Sequence, residues 1–193
     1  WLEHVYGFVD ISDTSSLIPI KKGIALEDDS IDMLSRHLGI NFTKNQDRVT
    51  KGFLTGECDI QSIQASIKVI RDVKNPVSWR TFRGVEGIIP TYYWQLIAYC
   101  LLYDGKAAHL DYTLMPFPQD LAEEITRYFT AEKKKEFFIM DRSIENLSSE
   151  KRIKTFQIPS DDIADRVEFL KSRLIKSAAY YETLTYDICM GKN

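Results

Sequence analysis

Two short stretches, GECDI and IRDVK, each place an aspartate inside an otherwise apolar run: Asp59 in the first and Asp72 in the second. Lys74 follows Asp72 by two residues, so on a strand both side chains leave the same face about 7 Å apart. If the two runs form a hairpin, Asp59 comes beside Asp72 and two carboxylates share one face with an ammonium. Carboxylates packed together repel unless a cation lies between them, and hard oxygen ligands suit Mg²⁺ or Mn²⁺. A lysine beside such an ion can hold a water, or help deprotonate it, for in-line attack on phosphorus. D-x-K alone is common, and an alternating strand with one polar face needs no function. The accompanying residues therefore decide the matter.

Glu27 lies in KKGIALEDDSI, next to Asp28 and Asp29. A helix dipole treats the three acids nearly alike, but successive residues point about 100° apart, so one alone faces the strands well. Glu27 falls four positions after Gly23 and four before Ile31, and it shares a face with that apolar residue. In TYYWQLIAYC, Gln95 and Tyr99 stand at i and i+4, with Tyr92 one turn earlier. A buried amide needs partners, which sets Gln95 apart from an aromatic core stripe. The loop VSWRTFRGVEG interleaves Arg80 and Arg83 with Trp79 and Phe82, a pattern suited to phosphate contacts and base stacking.

The elements that must position these residues follow from periodicity. Residues 1 to about 20 read as irregular chain, and Ile24, Ile31, Leu34 and Leu38 mark a helix that Gly39 stops. Strands are expected over Arg48–Leu54, Thr55–Gln61 and Ser66–Lys74; the last puts Ile67, Val69, Arg71 and Val73 on one face and Lys68, Ile70, Asp72 and Lys74 on the other. Pro90 opens a helix that reaches Tyr103, Asp104-Gly105 turns, and Lys106–Met115 is a strand. Beyond Pro118 come a short helix near Asp120–Phe129, strands at Phe137–Met140 and Arg152–Ile158, and a long helix from Ser160 buried along Ile163, Val167, Leu170, Leu174 and Ala178. The expected class is α/β: one domain over residues 1–193, with a mixed central sheet flanked by helices, a core in the order αβββαβ over about 23–116 and a C-terminal α/β extension over about 117–193.

The chain has 193 residues, 25 Lys plus Arg against 28 Asp plus Glu, and a net charge of -3. Such a length buries a core without staples, and such a balance excludes a polybasic coat and an acidic disordered tail. DNA binding survives it, because phosphate contacts need only a local basic patch. Cys58, Cys100 and Cys189 are far apart, which argues against a disulfide framework, a zinc site and an iron–sulfur cluster. His37 and His109 lack partners at metal-ligand spacing, and Lys133-Lys134-Lys135 reads as a solvated face. No apolar run could span a bilayer, and WLEHVYGFVD lacks the plan of a signal peptide. The expectation is a protein of the bacterial or phage-infected cytoplasm with no membrane partner; the absence of an initiating Met leaves open whether residues precede Trp1.

An acid on a first helix, G-E-x-D on one strand, D-x-K on the next and Y-x-x-Q-x-x-x-Y on a following helix together resemble the PD-(D/E)XK nuclease superfamily. Within it the chain is most similar to phage recombination exonucleases of the lambda exonuclease or YqaJ type and to RecB-like nuclease domains, over about Gly23 to Pro116. The resemblance implies a restriction-endonuclease-like core and a Mg²⁺-dependent DNA exonuclease, with Mn²⁺ as substitute and two ions. It implies that Asp59, Asp72 and the carbonyl of Val73 bind the first metal and that Glu27 serves the second. Lys74 would position the attacking water, Gln95 would orient Lys74 or the scissile phosphate, and Tyr92 and Tyr99, like Arg80 and Arg83, would contact DNA. Cys58 stands where many relatives carry proline, and Asp72 replaces the commoner Glu, shortening one ligand arm. The partners implied are DNA and a single-strand annealing protein, with a homo-oligomer left open. The rival readings are a structure-specific endonuclease of the same fold and a catalytically silent DNA-binding module.

Overall fold

The computed structural model describes residues 17–189, with side-chain surroundings as far as residue 183; the first 16 residues and the Cys189 side chain fall outside that description. Helix α1, Ile18–Leu38, buries Leu26, Ser30, Ile31, Met33 and Leu34 and ends where Gly39 takes φ 65°, a left-handed conformation that glycine adopts without a Cβ penalty. It begins earlier than periodicity indicated. Pro19 sits in its first turn, where the missing N–H costs nothing. Ile24, expected on the core stripe, is 66% exposed.

Strands β1 (Val49–Lys51) and β2 (Leu54–Gly56) form a small antiparallel pair by themselves. The main sheet has the order β3-β4-β5-β6, from Ile60–Gln64, Ile67–Lys74, Ala107–Thr113 and Ile153–Ile158. The β3–β4 hairpin is antiparallel, with Ile60 opposite Arg71, and turns through Ala65 and Ser66, both at positive φ. Two consecutive positive φ values mark the primed turn that matches strand twist. β4 and β5 are parallel, with Lys74 opposite Tyr112, and β6 returns antiparallel to β5.

Parallel neighbours need a crossover, supplied here by α2 (Trp79–Arg83) and α3 (Pro90–Tyr103). α3 covers one sheet face, where Leu96, Ile97, Cys100 and Leu102 pack with Ile70, Ala108 and Leu110. α1 covers the other, where Ile31, Met33 and Leu34 meet Phe42, Ile60 and Val73. With both faces covered, β4 is buried from Val69 to Val73, so the strand expected to have one polar face has none. Gly105 lets α3 hand over to β5 at close quarters: a Cβ there would lie 2.5 Å from Ile70 Cγ1.

After β5, α4 (Gln119–Ile125), α5 (Ala131–Arg142), a 3₁₀ turn at Ser143–Asn146 and α6 (Ser149–Arg152) precede β6. Phe137–Met140, expected as a strand, lies inside α5. A run of four apolar residues carries no period, and Thr130, which caps the helix by accepting from the Lys133 N–H, belongs to the helical alternative. The last helix, α7 (Ser160–Cys189), keeps the expected phase, but of its stripe only Ile163 is fully buried; Val167 and Leu170 are half-buried against the core that α3 contributes to, and Leu174 and Ala178 are half-buried near the β1–β2 turn. Among the described residues no helix is long and apolar enough to cross a membrane.

Candidate active site

β4 ends at Lys74 on the carboxyl side of the parallel pair, where open α/β sheets gather ligands. The hairpin register carries Asp59 opposite Asp72, one step beyond the last paired residue. β3 begins only at Ile60, so the Val73 N–H takes its partner from the Asp59 side chain, donating to Oδ2 at 2.6 Å. Asp72 is 2% exposed, and its Oδ2 lies 2.6 Å from Lys74 Nζ. That oxygen is met by charge without the direction of a hydrogen bond, and it is otherwise unpartnered.

The electrostatics follow from this crowding. Burial, then the Asp72 charge, push Asp59 up to about 7 against the opposing Val73 N–H. Asp72 is raised too, by burial, with Lys74 working against the shift. Burial alone would lower Lys74, but the Asp72 and Asp59 carboxylates override it and hold the ammonium charged. Its Nζ also stands 5.1 Å from the centre of the Tyr92 ring, a cation–π distance.

A cleft of about 550 Å³ opens here, lined by Glu27, Asp59, Val73, Lys74, Asn75, Tyr92 and Tyr112, with Ile20, Ile24, Val77 and Val85 as its apolar wall. Of the three consecutive acids in α1, Glu27 is half-buried and lines the cleft, and its charge acts on both Asp59 and Asp72. Asp28 and Asp29 are exposed. Lys44 binds Glu27 at 3.4 Å and Asp28 at 3.0 Å. Ile24, missed as a core residue, is thus a wall of the cleft.

Gln95 donates to Tyr99 Oη at 2.9 Å, so its amide is engaged on its own helix. Tyr99 lies within electrostatic reach of Asp72, Asp59 and Lys74, and burial raises its phenol. The same ring explains the glycine of GECD: a Cβ on Gly56 would stand 2.9 Å from Tyr99 Cε1. Arg80 and Arg83 lie exposed on α2, three residues apart on one face, while Thr81 and Val85 beside them line the cleft. Phe82 is not available for stacking. It is 2% exposed in the core, with Lys154 Nζ 5.1 Å over its ring. Trp79 remains accessible at 44%.

Three residues at the cleft escaped the sequence reading. Tyr112 reaches it because β5 pairs it with Lys74. Asn75 follows the strand and meets Ser30 and Thr113. Lys22 is fully buried beneath the cleft, with Nζ bonded to the Pro76 and Val77 carbonyls. A signal for it existed, since Lys22, Leu26 and Ser30 are four apart on the buried stripe of α1.

The donor set suits a hard divalent cation: two crowded carboxylates whose acidity is weakened by burial, and a third acid across the cleft. Among the described residues no three His, Cys, Asp or Glu side chains are placed to hold an ion by themselves, so backbone or water oxygens would have to complete such a site.

No family model matches this chain, and no curated protein matches it. Among solved structures it is similar to a phage related exonuclease from Haemophilus somnus 129PT, with TM-score 0.69 and 24% identity over 97% of this chain and 79% of that one. SSO0001 is far more distant, at TM-score 0.42 and 14% identity over 88% of this chain and 68% of that one. The mixed four-stranded sheet flanked by helices is therefore the fold of a phage exonuclease-like protein.

Proposed function

We propose that this chain is a metal-dependent DNA exonuclease that hydrolyses phosphodiester bonds with an activated water. The observation that carries the reading is the meeting of Asp59, Asp72 and Lys74 at the end of β4, where Asp59 and Lys74 line a cleft that Glu27 closes from α1 and Asp72 lies buried behind them. The likeness in fold to a phage related exonuclease supports it.

Asp59, Asp72 and the Val73 carbonyl would hold one Mg²⁺ or Mn²⁺, with Glu27 serving a second. Such an ion supplies Lewis acidity and lowers the pKa of bound water. The protein's own groups do the rest. Lys74, kept charged by Asp72, donates protons toward the cleft and orients a water or phosphate oxygen there. The Tyr92 ring holds the ammonium from one side and limits its swing. The Gln95–Tyr99 pair stiffens α3 behind the carboxylates. Arg80 and Arg83 supply exposed positive charge near the rim for the DNA backbone. A place in phage-type recombination, beside a single-strand annealing protein in a bacterial or phage-infected cytoplasm, is the setting that fits.

The test is digestion of end-labelled linear, nicked and closed circular DNA with Mg²⁺, Mn²⁺ or EDTA. Metal-dependent loss of linear DNA alone is expected. Cutting of closed circles would make the protein an endonuclease, and binding without metal-dependent cutting would make it a silent module.

A further inference from the structure

The residues that follow Lys74, namely Asn75, Pro76 and Val77, lie beyond β4 and all line the cleft. What fixes their backbone comes from α1. Lys22 is 0% exposed, and its Nζ donates to the Pro76 carbonyl at 3.0 Å and the Val77 carbonyl at 3.3 Å. The same ammonium lies 4.2 Å from the centre of the Phe117 ring, so π electrons replace water on one side. Two turns along α1, Ser30 Oγ stands 3.0 Å from Asn75 Oδ1, which also accepts from Thr113 Oγ1 at 3.2 Å.

A buried cation is costly unless its donors are used. Burial draws Lys22 down to about 8, and the Asp141 charge opposes that shift. Lys22 does not line the cleft. Its two bonds join the helix that carries Glu27 to the backbone that leaves Lys74, the two elements whose side chains face each other there. We propose that Lys22 is a positioning residue: by drawing the Pro76 and Val77 carbonyls onto α1 it sets the separation of Glu27 and Lys74. This role rests on the nuclease reading. It acts on turnover more than on DNA binding, because α2 and its arginines are held separately, by Lys154 Nζ on the Arg83 and Val85 carbonyls at 3.1 and 2.7 Å.

Lys22→Met keeps the apolar stem and removes the donors; Lys21→Met, whose ammonium pairs with Glu124 at the surface, is the control. On end-labelled linear DNA, Lys22→Met is expected to lower kcat at least tenfold with KM within about twofold, while the carbonyl ¹³C resonances of Pro76 and Val77, the two acceptors, shift and those of β5 stay unchanged. Lys21→Met should leave all of these at wild-type values. Wild-type kcat in Lys22→Met, or a loss carried by KM, overturns the proposal. Should the Met variant not fold, Lys22→Gln, uncharged and one bond shorter, takes its place, and wild-type kcat in that variant with the Pro76 and Val77 carbonyl resonances shifted overturns it equally. If the wild-type protein degrades no DNA under any metal condition, the nuclease reading falls by itself. The Pro76 and Val77 carbonyl resonances then still decide whether Lys22 holds the segment.

Discussion

Arg71 and Asp72 are neighbours on β4, both buried, and they face opposite sides of the sheet. On the α1 side, Arg71 Nη1 reaches both Asp111 oxygens at 3.0 and 2.8 Å, Thr155 Oγ1 adds a third bond to Asp111 at 2.5 Å, and the guanidinium lies 5.1 Å from the Phe42 ring centre. Arg71 Nε and the neighbouring His109 Nδ1 stay unpartnered there, but both charges are matched and none of these groups lines a described cavity. On the α3 side, Asp72 shares its surroundings with a second carboxylate, Asp59, and one ammonium, Lys74, and those two partners line a cleft. One residue apart, the strand carries a closed ion pair and an over-acidic open cluster. A closed pair costs its desolvation and serves packing. An open cluster of like charge raises its own pKa values and invites a cation, which is how functional sites differ from structural ones.

If that contrast is right, substitutions on the two sides should divide activity from stability. The largest effect belongs to the open side. Asp72→Asn should cut DNA hydrolysis on the order of 10³-fold and Lys74→Ala on the order of 10²-fold, each with thermal stability preserved or raised in Asp72→Asn, because a like-charge repulsion with Asp59 is removed. Single-turnover rates alongside melting temperatures check both, and near wild-type turnover in either variant would reduce the cluster to a buried curiosity.

Next in size is the closed side. Arg71→Met leaves Asp111 buried without its cation and should destabilise by about 3–5 kcal/mol, while activity per folded molecule is kept. Adding Asp111→Leu should recover most of that loss in denaturant titration. Equal damage from the single and double variants would show that the pair is not a closed unit.

A smaller effect concerns pH in the metal-free protein. Asp59 sits at about 7 in the fold against 3.8 for an ordinary aspartate. A carboxyl whose folded pKa is raised binds its proton more tightly when native, so the associated stability is present below about 4 and is lost as pH rises through about 7. With EDTA present, the melting temperature of the wild type should fall relative to that of Asp59→Asn across this window. Parallel curves for the two proteins would contradict the crowding.

The smallest predicted effect separates the acids of α1. Glu27→Gln should raise the Mg²⁺ needed for half-maximal rate roughly tenfold, the low end of the scale for an indirect ligand, while Asp28→Asn changes nothing beyond its surface pairing with Lys44. A Mg²⁺ titration in which Asp28→Asn is the impaired variant would mean that α1 is rotated from the orientation described.

The local patterns of the chain determined the pieces. Alternation fixed β4, Pro90 and Gly39 bounded two helices, and Asp59, Asp72 and Lys74 were conspicuous as charges within apolar runs, although Asp59 lies in the bend before β3 and not in the strand expected over Thr55–Gln61. Residue types also misled where chemistry is ambiguous over a few positions, as in the apolar run of α5 and in the Ala65-Ser66 turn, which lacks the Asn-Gly signature. Tertiary structure alone decided the rest. It put Arg71 and Asp72 into opposite environments and brought Tyr112 to Lys74 across a parallel register. It withdrew Phe82 into the core and sank Lys22 beneath the cleft. The physical reason is range: periodicity and capping act within a few residues, whereas burial and charge crowding depend on which distant segments the sheet makes neighbours.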